Sequence, residues 1–249
     1  SEMCIRDSFE ASDKFNSIAS LAGTSKPSAF VTIQEGCDKF CTFCVVPYTR
    51  GPEFSRSIAE LVRESKELVK NGAKEIILLG QNVNAFNYEG HKLSNLINEL
   101  SKIDDLKRIR YTTSHPKDFS EDLIEAHKNF DKLMPLIHLP VQSGSNKILK
   151  KMNRQHTIEE YLNIIDKLKK VNPAIVYASI SAYGQDGPHA NFPGTDAIGQ
   201  ALGGVAEAYA GPGESMRTGL VSVADETCAI LTFGGLLAAL YHAKNTGVG

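Results

Sequence analysis

"SAFVTIQEGCDKFCTFCVVPYTRG", residues 28–51, runs from a short β-branched stretch into a loop that holds three of the chain's five cysteines. "AFVTI" (29–33) has the length and composition of a strand. Cys37, Cys41 and Cys44 follow it with C-x3-C-x2-C spacing. A closed zinc site takes four protein ligands and a redox C-x-x-C pair takes two. Three thiols therefore describe a site one ligand short.

Working outward, the same grammar repeats. "EIILLG" (75–80), "RIRYTT" (108–113) and "LIHLPV" (136–141) read as further strands, short, apolar and bounded by polar or glycine turns. Between them Ile58, Leu61, Val62, Leu68 and Val69 recur at helical spacing, as do Leu93, Leu96, Ile97, Leu100 and Ile103. Ser120 opens a third helix ahead of Glu121 and Asp122. "TIEE" (157–160) is a capping box that opens a fourth. Strict alternation implies parallel strands with right-handed crossovers, hence a (β/α) barrel or an open doubly wound sheet. Chemistry in either sits beyond the carboxyl ends of the strands. There the sequence places the three cysteines, then Gly80, Gln81, Asn82 and Asn84, then Thr112, Ser114 and His115, and finally Gln142, Ser143 and Ser145. Each has a plainer use as a strand-end polar group capping the next helix.

Composition is that of a globular protein: 249 residues, 42% hydrophobic and 22% charged. The longest apolar run, "AILTFGGLLAAL" (229–240), is too short to span a bilayer, so no membrane partner is expected. An odd number of cysteines, three of them clustered, fits metal binding in a reducing cytoplasm better than a disulfide framework. The average hides a break. Residues 1–171 carry 25 basic and 23 acidic side chains, whereas 172–249 carry 2 and 6, and 13 of the 20 glycines fall in that second part. Two segments of different origin would produce such a shift.

A 4Fe-4S cubane held by three thiolates leaves one iron free for a small molecule. S-adenosylmethionine (SAM) fits that vacancy, since its amino and carboxylate groups can chelate the iron while the sulfonium takes up an electron. Phe40 and Phe43, between the cysteines, are placed to shield the cluster from water. "SAFVTIQEGCDKFCTFCVVPYTRGPEFSR", "LLGQNVNAF", "TTSHP" and "HLPVQSGS", in that order, resemble the radical SAM core of MiaB-type tRNA methylthiotransferases over about residues 9–171. The resemblance implies a transferase that methylthiolates C2 of N6-isopentenyladenosine next to the tRNA anticodon. It implies Cys37, Cys41 and Cys44 as cluster ligands and Gly80, Gln81, Ser114 and Gln142 as SAM contacts. The family carries a second cluster domain and an RNA-binding β domain, so an incomplete enzyme is expected. Net +2 over 171 residues gives a polyanion weak electrostatic attraction, and no DNA partner is expected.

Residues 172–249, with "NPAIVYASISAYGQDGP", "GTDAIGQALGG" and "VSVADETCAILTFGGLLAAL", resemble instead the middle of a family III CoA-transferase. There the resemblance implies Asp225 as the carboxylate nucleophile on an acyl-CoA thioester. The expected organisation is an extraneous segment at 1–8, a linker at 9–27, a partial, truncated radical SAM barrel at 28–171 and a Gly/Ala-rich α/β fragment at 172–249, a chimera joined at "KKVNP". The alternatives to tRNA modification are acyl-CoA transfer and a non-catalytic fragment that binds a cluster. "AIVYASI" (174–180) is expected to pair as a fifth strand beside the fourth, 184–220 to form a loose excursion, and 227–242 a helix.

Overall fold

The computed structural model describes residues 27–190, 192–219 and 221–249. Cys4, the segment at 1–8 and nearly all of the linker at 9–27 lie outside the described residues. The chain divides into two compact units, Ser1–Val171 and Asn172–Gly249.

The first unit is built on a three-stranded parallel sheet of β1 (Ser28–Thr32), β4 (Glu75–Leu79) and β7 (Arg108–Tyr111), with β4 in the middle. Phe30 lies opposite Ile77, and Ile77 opposite Arg110. Side chains alternate across it, as a pleated strand requires. Val31, Ile76, Leu78, Ile109 and Tyr111 are buried on one face, while Phe30 on the other is 66% exposed. That open face carries a polar row in which the Ser28 hydroxyl donates to Glu75 (2.7 Å) and Arg110 pairs with it (3.0 Å). Two small antiparallel pairs decorate the strand ends: β2 (Gln34–Glu35) with β3 (Phe54–Ser55), and β5 (Asn87–Tyr88) with β6 (His91–Lys92).

Helices cover the buried face. After the short α1 (Val46–Arg50), α2 (Ile58–Lys70) starts where Ser57 accepts the Glu60 N–H and buries Leu61, Ser65 and Val69, one stripe at four-residue spacing. The helix α3 (Leu93–Ser101) buries Leu93, Leu96, Ile97 and Leu100 and packs against α2 and against α4 (Glu121–Asn129). Ser120 stands at the cap of α4, although its hydroxyl makes no capping bond. The short α5 (Asn146–Lys151) precedes α6 (Ile158–Val171), whose capping box forms as the sequence requires: Thr157 N–H to Glu160 at 2.8 Å and Glu160 N–H to Thr157 at 3.2 Å.

Two expected strands do not form. Among the described residues, 136–141 pair with no strand, and the outer edge of β7 meets a single bridge, Ile109 to Leu133. Pro135 precedes that stretch and Pro140 lies within it, and neither has an N–H to give a ladder. "AIVYASI" (174–180) forms no strand either, with residues 177–180 exposed. Lacking a fourth strand to pair with, its β-branched content cannot decide its structure. The sheet is thus a partial barrel.

The second unit has two short helices, α7 (Asp196–Leu202) and α8 (Val205–Ala210), within the stretch expected to be a loose excursion, and a long one, α9 (Val223–Thr246). Asp196 of α7 accepts the N–H groups of Ala224 (2.9 Å) and Asp225 (3.2 Å), satisfying two otherwise unpaired donors. This explains why α9 begins four residues before the expected start at 227. Ile230, Leu231, Phe233, Leu237 and Leu240 are all exposed along it. Its 24 residues make it long and apolar enough to cross a membrane by length and composition, so the length argument drawn from 229–240 does not hold for the whole helix.

His127 of α4 shares a 2.7 Å hydrogen bond with the buried Tyr111 hydroxyl, and burial lowers its pKa to about 4. The unfolded chain, titrating near pH ~6.5, takes up that proton first. Stability is therefore lost as pH falls from about 6.5 towards 4, by about 1–2 kcal/mol at pH 5. Urea midpoints measured between pH 7 and 5 should decline more steeply in the wild type than in His127→Gln.

Candidate functional site

The three-cysteine loop leaves β1 through Gln34 and turns at Gly36, whose φ of +80° and crowding leave no room for a side chain: a Cβ there would lie 2.0 Å from the Pro52 carbonyl oxygen. The loop closes on itself where the Cys37 N–H meets the Gly51 carbonyl at 3.2 Å, and the Cys44 N–H meets the Cys41 carbonyl at 2.9 Å. Its seat is the carboxyl end of β4. Gln81 accepts the Gly36 N–H at 2.8 Å, while buried Gln34 donates to the Gly36 carbonyl at 2.7 Å and accepts from the Asn82 N–H at 3.3 Å. Gly80 is required by close packing, since a Cβ would come within 2.7 Å of the Gln34 side-chain oxygen.

The far side of the loop is held by a segment the sequence reading passed over. Asn153 donates to the carbonyls of Lys39 (3.1 Å) and Phe40 (2.9 Å), and Gln155 donates to Lys39 (2.8 Å). Thr42 bonds through its N–H to Met152 and through its hydroxyl to Lys151. Arg154, between these anchors, places Nη1 3.4 Å from Cys41 Sγ and Nη2 2.8 Å from the Pro140 carbonyl. Phe40, Asn153 and Gln155 all take positive φ, as do Thr113, just beyond β7, and Gln142, in the loop before α5. For β-branched Thr113, at +62°, this is a strained conformation of the kind that gathers at functional sites.

Cys41 is buried, while Cys37 and Cys44 are half-buried. Burial pushes the Cys37 thiol up, with the Glu53 charge adding to it. Phe40 and Phe43 are 48% and 56% exposed and do not form the expected shield; Phe40 instead meets Tyr48 edge-on at 5.9 Å. Lys39 bridges Asp118 (2.9 Å) and Glu53 (3.9 Å), and Asn82 donates to both carboxylates. Burial pulls the Lys39 ammonium down, but Asp118 and Glu53 hold it above its ordinary range. Burial likewise raises the Glu53 carboxyl, against the pull of Lys39.

Beneath the loop, His115 and His156 pack edge to face at 5.7 Å. Asn84 clamps the His115 backbone with reciprocal bonds of 2.9 and 2.8 Å. Burial, then the charges of Arg154, His156 and Lys39, lower the His115 pKa to about 3, so the ring is neutral at physiological pH. The Nε2 atoms of both rings, Arg154 Nε, Ser114 Oγ and Asn82 Oδ1 are buried without a partner. These five atoms gather around one loop, where water or a bound group can meet them. Ser114 is buried within this group, whereas Gln142 is exposed.

Among the described residues no three His, Cys, Asp or Glu side chains converge on one metal-ion position. A cubane makes a different demand, because each thiolate meets its own iron. Three thiols on one loop, with a buried cation against the Cys41 sulfur, suit that group. Asp225 belongs to the second unit, exposed in the first turn of α9 with its N–H on Asp196.

The family model of the radical SAM superfamily matches residues 31–184. The chain belongs to the radical SAM superfamily. The chain is 62% identical over 176 residues to the tRNA-2-methylthio-N(6)-dimethylallyladenosine synthase of Pelagibacter ubique, covering 69% of this chain and 40% of that protein. To the synthase of the same name from Cereibacter sphaeroides strain ATCC 17029 it is 53% identical over 196 residues, 78% of this chain and 45% of that protein. This radical SAM chain therefore spans less than half the length of these relatives. Among solved structures, TsrM of Kitasatospora setae, a radical S-adenosylmethionine methyltransferase with cobalamin and a 4Fe-4S cluster bound, is similar at a TM-score of 0.47 and 17% identity, covering 57% of this chain and 28% of that one. The model of CoA-transferase family III matches residues 151–249, overlapping the first match over 151–184.

The Gly36 turn gives a direct test of how the loop is set. Gly36→Ala should lower stability by about 2–4 kcal/mol, read from urea unfolding, because both the positive φ and the Pro52 contact forbid a methyl group.

Proposed function

We propose that residues 28–171 are the cluster- and SAM-binding part of a tRNA methylthiotransferase. Cys37, Cys41 and Cys44 would hold a 4Fe-4S cluster that, when bound, supplies an electron to SAM. The observation that carries this reading is the three-thiol loop itself, fixed at the carboxyl edge of a parallel sheet by Gln81 on one side and by Asn153 and Gln155 on the other. Identity of 62% to a tRNA-2-methylthio-N(6)-dimethylallyladenosine synthase supports tRNA as the substrate, in the cytoplasm. The chain's own residues set the stage. Gln81 and Gln34 hold the loop's entry, Ser114 offers an unpartnered hydroxyl, and Gly80, just beyond β4, and the exposed Gln142 would complete the SAM contacts. Anaerobic reconstitution with iron and sulfide should give about four irons per chain, and replacing all three cysteines by Ala should abolish uptake. Iron uptake that survives the triple replacement would overturn the assignment.

The match of CoA-transferase family III to residues 151–249 favours a second reading, acyl transfer through Asp225. Exposed at a helix start, Asp225 lacks the enclosure that an activated carboxylate nucleophile needs. Incubation with acyl-CoA donors should therefore leave no hydroxylamine-sensitive acyl anhydride on the chain, and the residues would act, at most, as a fragment. We place the join of the two segments near Val171 and Asn172, where the units divide.

A further inference from the structure

Arg154 is only 5% exposed, yet among the described residues no carboxylate is within ion-pair distance of it, and its Nε has no partner. A guanidinium keeps its charge at every accessible pH. Burying one without a counter-charge is strongly disfavoured. The groups around it do not supply one: the carbonyl of Pro140 is neutral, and His115 and His156 are both held in their neutral forms by burial. The remaining contact is Cys41 Sγ, 3.4 Å from Nη1, within reach of an N–H···S hydrogen bond. A protonated thiol is a poor partner for a cation, whereas a metal-bound thiolate is a good one.

We propose that Arg154 is a positioning residue of the cluster: it donates an N–H to the Cys41 sulfur and provides the buried positive charge that offsets the cluster's thiolates, raising the reduction potential. This rests on the assignment of Cys37, Cys41 and Cys44 as cluster ligands. The Nη2 bond to Pro140 fixes the plane of the fork, and the anchors on either side, Asn153 and Gln155, fix its backbone against the cysteine loop. Reduction places one more electron on the iron, with no bond made or broken. A fixed cation beside a ligating sulfur favours the more negative state.

The test uses the full chain after anaerobic reconstitution, with dithionite as the electron donor and the potential read by EPR-monitored titration. Arg154→Gln should bind the same iron and be harder to reduce by at least tenfold in the one-electron equilibrium, which is about 59 mV. Arg154→Lys, keeping the charge but not the fork, should fall between the two. Equal potentials in the wild type and Arg154→Gln, each with four irons, would overturn the proposal whatever happens to SAM affinity. A measurement on the wild type alone guards against a variant that fails to fold. Chain grown on 15N-arginine should show a 15N coupling in pulsed EPR of the reduced cluster, and its absence would overturn the proposal. Failure of the wild type to bind iron at all would instead overturn the ligand assignment beneath it.

Discussion

Two side-chain amides, those of Asn153 and Gln155, hold the carbonyls of Lys39 and Phe40 from more than a hundred residues further along the chain, and the position of all three thiols depends on this clasp. The loop between Gly36 and Gly51 has little regular structure of its own, and fixing each of its residues costs roughly 1–2 kcal/mol in backbone entropy. Intramolecular hydrogen bonds return about 1 kcal/mol each, so several are needed. They arrive from two directions, the carboxyl end of β4 and the turn between α5 and α6. The cysteines are therefore set by tertiary structure on both flanks, although their spacing is local.

Charge around the loop is distributed in two layers. At the rim Lys39 is matched by Asp118 and Glu53, with Asn82 tying the two carboxylates together. Deeper in, Arg154 stands without a carboxylate among the described residues, beside two neutral histidines. An excess of buried positive charge next to a sulfur is unstable by itself and stabilising only towards an anionic occupant.

The two units leave apolar surface bare in different ways. In the first, the sheet stops at β7, and Phe30 remains open on the face away from the helices. In the second, α9 is apolar all round and buries only Ala243. A helix of that composition is ordinarily enclosed. The model of CoA-transferase family III matches these same residues.

By itself the sequence determined the elements whose signals are short-range. The strands β1, β4 and β7, the stripes of α2 and α3 and the capping box of α6 follow from periodicity and caps, which involve residues within a turn or two of one another. The C-x3-C-x2-C spacing and its place after β1 were equally legible. Where pairing needed a distant partner, composition could not decide: "LIHLPV" and "AIVYASI" have strand-like residues but no ladder among the described residues, the first with Pro135 before it and Pro140 inside it, the second with no fourth strand formed to receive it. Nor could the sequence show that Arg154, in an unremarked turn, lies against Cys41, because 113 positions separate them and only packing closes that distance. Asn153 carried a faint signal, being a residue that tolerates the left-handed region at a helix end. What it grips from there was decided by the tertiary structure alone, since a hydrogen bond to a backbone carbonyl leaves no mark on the identity of the residue that accepts it.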